Sequence, residues 1–184
     1  FYLANDEIVY RISISSVING EVPSVETVAS LGDTDLIITD ISATDSTIWV
    51  LAADGTTTQI YTIDKGTGTV TLVEEVALTT SYKIRALDDT TVVFTHGSGL
   101  YSYMNSNGVF VAASAVGASP LIDFHMFDET NWIAASSSGV YATGDAGLTW
   151  QNRLTMTGGA KMTWYDNLTG YLLLTSAVYR TIDS

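Results

Sequence analysis

The side chains of this chain able to do chemistry are mostly acids. There are 20 Asp and Glu against 7 Lys and Arg and 2 His, with no Cys, for a formal net charge of −13. Glycoside hydrolysis needs two carboxylates about 5 to 10 Å apart across one pocket, and Asp123, Asp128 and Glu129 are the candidates. A structural role competes with that one. Asp45-Ser46, Asp88-Asp89, Asp128-Glu129 and Asp166-Asn167 each follow an apolar run, where short side chains hydrogen-bond the turning backbone. Recurrence at matching places makes turn acids the expected reading, and no catalytic set is expected. His96 and His125 lie in non-equivalent segments, so no zinc pair is expected. Asp54-Gly55 and Asp64 precede glycine turns, but the calcium loop D-x-[DN]-x-[DN]-G with its terminal Glu is absent. No metal and no cofactor are expected. Asn167-Leu168-Thr169 has the form of a glycosylation sequon, meaningful only on a eukaryotic secretory route.

The charge balance bounds the partners. An excess of acid repels nucleic-acid phosphates and anionic headgroups, so no nucleic acid is expected. The longest apolar runs, such as Leu121 to Phe127, fall well short of the ~20 residues of a membrane helix, so no membrane insertion is expected. A length of 184 residues with 46% hydrophobic content suits one globular domain. Four Trp, ten Tyr and many Val, Ile and Thr, with few helix formers, lean toward an all-β chain. The Ser/Thr-rich, Lys-poor, Cys-free composition leans toward an exposed location, extracellular or on a virion surface. Phe1 is neither an initiator Met nor the start of a signal segment, so it is expected to be an internal or processed position.

Three ladders of similar segments organise the chain. An apolar residue followed by tyrosine recurs at Tyr10, Tyr61, Tyr101, Tyr141 and Tyr179, spaced by 51, 40, 40 and 38 residues. A second ladder starts at Thr47, Thr91, Asn131 and Gly170, and a third at Ile41, Ile84, Phe124 and Met162, each keeping a period near 40. Propeller blades of the WD-repeat class use roughly 40 to 45 residues, because four short antiparallel strands and three turns consume about that much chain. The spacing therefore predicts a β-propeller of four-stranded antiparallel blades, with the third ladder innermost and the tyrosine strands third. Blade limits fall near 1–35, 36–79, 80–118, 119–158 and 159–184, as one propeller domain or a fragment of a larger one. The terminal blades are incomplete, the first lacking its innermost strand and the last stopping in its third. Unpaired edges are a liability, so the sequence is expected to be part of a longer chain or larger assembly. The long first interval, Ser15 to Leu36 with Pro23, is expected to be an enlarged loop. Turns between third and fourth strands are placed at Asn19-Gly20, Lys65 to Gly68, Asn105 to Gly108 and Thr143 to Trp150.

That last turn reads Thr143-Gly144-Asp145-Ala146-Gly147-Leu148-Thr149-Trp150. Its Thr143, Asp145, Gly147, Thr149 and Trp150 match the Asp-box, or BNR repeat, and the chain resembles the β-propellers that carry it, among them sialidases, sortilin-type receptors and photosystem assembly factors. The resemblance implies a structural hairpin turn rather than a catalytic site. Tyr10-Arg11-Ile12-Ser13 is similar to the arginine motif opening sialidase propellers, where an arginine grips a substrate carboxylate. That makes Arg11 a candidate ligand contact. The other elements of a sialidase site are missing, since Arg85, Arg153 and Arg180 lie at unrelated blade positions, and repeat symmetry accounts for Arg11 beside Tyr10 as for Arg180 beside Tyr179. The expected function is a non-enzymatic interaction or structural module of phage-tail, fibre or adhesin type, with a protein or glycan surface partner. The alternatives are a sialidase-like carbohydrate-active fragment, or an assembly factor, whose usual arginine-rich patch seven bases could hardly furnish.

Overall fold

The computed structural model describes residues 1–13, 18–20, 22–76, 81–96, 100–104, 110–112, 121–158, 161–166, 169–174 and 177–181. The Asn105 to Gly108 turn, the sequon's Asn167-Leu168, Ser15 and Ile182 to Ser184 lie outside these residues, as does the side chain of His96. Among the described residues the elements are eighteen strands. No described helix is long and apolar enough to cross a membrane. The chain divides into two compact units, Phe1–Asp89 and Thr90–Ser184.

In the first unit, β1 (Tyr2–Asn5), β2 (Ile8–Ile12) and β3 (Val25–Ser30) form an antiparallel meander, followed by β4 (Ile37–Ala43), β5 (Thr47–Ala53), β6 (Thr58–Asp64) and β7 (Val70–Val76). β8 (Ser81–Ala86) ends the unit and packs on β4 and β5. In the second unit β9 (Val92–His96), β10 (Leu100–Met104) and β11 (Phe110–Ala112) form a meander in the order β9-β10-β11. Next come β12 (Leu121–Met126), β13 (Trp132–Ser136), β14 (Gly139–Thr143) and β15 (Gln151–Thr155), in spatial order 12-13-14-15. Last are β16 (Lys161–Trp164), β17 (Gly170–Leu173) and β18 (Val178–Thr181). Among the described residues the first and the last sheets have three strands each.

Burial explains the ladders. Ile48 to Ala52 of β5 are all buried, as expected of an apolar run covered on both faces. The first and second sheets close on a shared core of Val9, Ala29, Leu36, Ile48, Val50, Ala52, Tyr61 and Ile63, with Tyr2, Ala4 and Val28 packed against it. Burying an aliphatic side chain of this kind stabilises by about 1.5–3 kcal/mol.

The tyrosines lie on β2, β6, β10, β14 and β18, the third strand of each blade by the ladder count. A finer repeat accompanies them. At Val9/Tyr10, Ile60/Tyr61 and Val140/Tyr141 the register to the fourth strand slips by one, leaving Val28, Val73 and Arg153 without a direct partner. Such a bulge bends the strand and re-aims the inserted side chain. A second bulge recurs on innermost strands, at Ile38/Asp40 and Leu121/Asp123.

Candidate functional site

Several acids are bound into turns. Asp54 accepts the amides of Thr56 and Thr57, each at 2.7 Å, and both hydroxyls. These bonds, the Thr57 amide foremost, hold its carboxyl well below the usual range. Asp64 accepts the Gly66 and Thr67 amides and is likewise lowered, chiefly by the Thr67 amide. Asp128 accepts the Asn131 side-chain amide and the Thr130 and Asn131 backbone amides, which lower it to about 2. Asp166 accepts the Thr169 amide at 2.6 Å. One turn differs from expectation. The Ser46 amide is taken by Asp89 rather than by the adjacent Asp45, and Asp89 also accepts the Ser46 and Thr44 hydroxyls, which lower it to about 2. The next turn's carboxylate reaches across from β8's end, a pairing no local pattern encodes.

In the hairpin joining β14 to β15, Asp145 accepts the Thr149 amide at 2.9 Å and the Thr149 and Thr143 hydroxyls. Those bonds, the Thr149 hydroxyl first, lower its pKa. Gly147 donates its amide to the Thr143 hydroxyl and has φ of 80°. Ala146 beside it has φ of 54°, a left-handed conformation with a steric cost for a residue bearing Cβ. Trp150 is half-buried.

Asp40 and Asp123 do something the sequence reading missed. Asp40, placed by its bulge on β4, accepts the Ile84 amide at 3.0 Å and an Arg85 guanidinium N–H at 2.9 Å, with Lys83 at 3.9 Å. Asp123, buried on β12, accepts the Met162 amide at 2.9 Å and that of Phe124 at 3.1 Å. Each ties its innermost strand to the next one. The signal was available, since each acid stands one residue before a third-ladder start, Ile41 or Phe124.

Arg11 lines an open hollow of about 430 Å³ with Phe1, Ser13 and Ser24, but Glu26 already holds its guanidinium, at 2.5 and 3.1 Å. Both side chains are more than half exposed. Arg85 is bound to Asp40, so within the first unit the two arginines serve separate acids. His125 stacks on Trp164 at 5.7 Å, and Phe127 meets the same indole edge-on at 4.8 Å. Among the described residues no group of three or more His, Asp or Glu could hold a metal ion.

A cavity of about 760 Å³ lies in the second unit between the sheet β12–β15 and the sheet β16–β18. Its walls are mainly apolar, with Ile133, Leu154, Met162, Trp164, Tyr171 and Tyr179 among them. Gly170 makes room for the indole, because a Cβ there would lie 2.5 Å from the Trp164 ring. Two cations line the cleft: Arg153, the residue inserted at the β15 bulge, and Arg180 on β18. Both are exposed, and among the described residues neither has an ion-pair or hydrogen-bond partner. An apolar cleft of this size with few polar groups has the make-up of a ligand site.

No family model matches the sequence, and no curated protein matches it. Solved structures do. YCF48 bound to D1 peptide aligns at 13% identity and TM-score 0.71, over 99% of this chain and 60% of that one. The Nidogen/Laminin complex aligns at 10% and 0.67, over 97% and 76%. The WD40 beta propeller domain of Doa1 aligns at 11% and 0.63, over 97% and 59%. The chain thus spans about three fifths of the YCF48 and Doa1 chains. Likeness at such identities carries fold alone. The fold is an all-β propeller of four-stranded antiparallel blades, about five of them present, with the terminal blades incomplete among the described residues.

Proposed function

We propose that this chain is a non-enzymatic propeller module of the Asp-box kind that captures a protein partner in the cleft of its second unit, on an extracellular or virion surface. The carrying observation is the cleft itself, lined by Arg153 and Arg180, which have no partner among the described residues, and by the exposed Tyr171 and Tyr179. Aromatic side chains gathered beside arginines on an exposed face are the make-up of a partner-binding surface. The acids support a binding role rather than catalysis. Asp54, Asp89 and Asp128 are held ionised by turn bonds, so none has the raised pKa of a general acid. Neighbouring folds in complex with a peptide and with laminin show that such a scaffold can present a partner surface.

The competing reading is a sialidase-like enzyme centred on Arg11. Incubating the purified chain with fluorogenic sialosides and other glycosides separates the two. The binding reading expects no turnover; turnover that Arg11→Ala abolishes in a folded variant would replace it with the enzyme. A glycan array probed with the same protein is expected to remain blank, and retention there would move the partner from protein to sugar.

A further inference from the structure

Ser42 and His125 hold the same place in their strands. Each stands two residues after the acid that accepts an amide of the next innermost strand, Asp40 from Ile84 and Asp123 from Met162. In the first unit the tie repeats two residues on, where the Ala86 amide donates to the Ser42 hydroxyl at 2.9 Å. In the second unit the corresponding pair is His125 and Trp164. There the imidazole lies on the indole, with centroids 5.7 Å apart and planes 23° from parallel. Phe127 stands nearly perpendicular to both rings, at 4.9 and 4.8 Å. The indole Nε1 is buried with no hydrogen-bond partner among the described residues, so ring contacts, rather than a directional bond, hold Trp164 in place.

We infer that the joint between β12 and β16 is a pH-responsive clamp, in which proton uptake by His125 turns a neutral ring stack into a cation on an indole face and tightens the two strands against each other. The Ser42 hydroxyl gives the first unit the same joint without a titrating group. Indole is the best aromatic acceptor for a cation within about 6 Å of its centroid, and imidazole takes up its proton between about pH 8 and 5. The nearest acids along β12 favour that proton: Asp123 two residues before, and Asp128 and Glu129 in the turn after Phe127. Asp128, held down to about 2, stays ionised throughout that range. Asp166 follows β16, while Lys161 on β16 and Arg153 and Arg180 in the cleft that Trp164 lines oppose the proton. β13 and β17 carry no charged residue. His125 is half-buried, so its cation keeps part of its hydration and desolvation does not cancel the attraction. The added stability is present at the acid end of the range and is lost as pH rises through it.

The test follows melting of the whole chain at about pH 8 and about pH 5, for wild type, His125→Gln, Trp164→Leu and the double variant. The Tm deficit of His125→Gln is expected to widen by about 2–4 °C from the higher pH to the lower. In the Trp164→Leu background that widening should vanish, because it needs both rings. Should Trp164→Leu fail to fold, Trp164→Phe takes its place and is expected to keep a smaller widening, phenyl being the weaker cation acceptor. His96→Gln, which removes the chain's other histidine, should melt with the wild-type pH dependence. Emission gives a second readout: an imidazolium in contact quenches indole, so wild-type fluorescence should fall on acidification while His125→Gln stays flat. A deficit that does not widen, a widening undiminished when Trp164 is replaced, or a dependence that disappears with His96 instead of His125 would each overturn the clamp.

Discussion

Two sheet pairs in this molecule share one strand plan and differ in what lies between the sheets. In the first unit the space between the first two sheets is filled by a closed aliphatic core, and the bulge residue Val28 packs against it. In the second unit the space between the last two sheets is an open cleft, and the equivalent bulge residue is Arg153. The cations follow the same division. Arg11, Lys83 and Arg85 are in ion pairs, and Lys65 bonds the Thr44 carbonyl and lies over the Tyr2 ring. Arg153, Lys161 and Arg180 have no such partners among the described residues. The first unit holds 14 acids and 4 bases, the second 6 and 3, and the described ion pairs all lie in the more acidic half. The scaffold is satisfied by valine at the bulge.

The sharpest break of this contrast is a pair of truncations. Ile48→Ala, at a fully buried site of the closed core, should cost about 2–5 kcal/mol in urea unfolding. Leu172→Ala, on the half-buried cleft wall, should cost less than about half of that. Equal costs would mean the cleft is packed shut in solution. Next in size are the strand ties: Asp40→Ala and Asp123→Ala should each cost about 1.5–3 kcal/mol, since each orphans an amide bonded to a charged group. A similar loss in the two units would show that both depend on this device, whatever fills the space around it.

Acid titration probes a smaller effect. Asp89 in the first unit and Asp128 in the second have folded pKa values of about 2, against about 3.9 for an unfolded Asp. Lowered folded pKa values give stability that is present above about pH 4 and lost as pH falls toward 2. Asp89→Asn and Asp128→Asn should each start at a lower Tm and fall less than wild type between pH 5 and 2. Parallel melting curves would show that these turns do not hold the charged form. The smallest effect is expected at Arg11→Ala, whose exposed pair with Glu26 should leave Tm unchanged within error; a clear loss of stability would mark that pair as structural.

Much of the fold was legible in the residue pattern. A side-chain period of two, punctuated by Asp, Asn and Gly turns, locates strands without tertiary information, and the ladders at Tyr10, Tyr61, Tyr101, Tyr141 and Tyr179 coincide with β2, β6, β10, β14 and β18. The site was not legible in the same way. Arg153 reads as one more base on an outer strand until the register shows it inserted opposite Val140/Tyr141. Asp123 reads as a turn or catalytic candidate until its bulge is seen to carry it onto the Met162 amide.

The sequence by itself determined the strands, their order within each meander and the turns that join them, because these depend on neighbours a few residues apart and on alternation along one strand. Only the tertiary structure decided which acids meet which cations. Glu26 meets Arg11 across a strand pair 15 residues apart, and Asp40 meets Arg85 across 45. An ion pair forms over a few ångströms of space, a distance that separation along the chain does not encode.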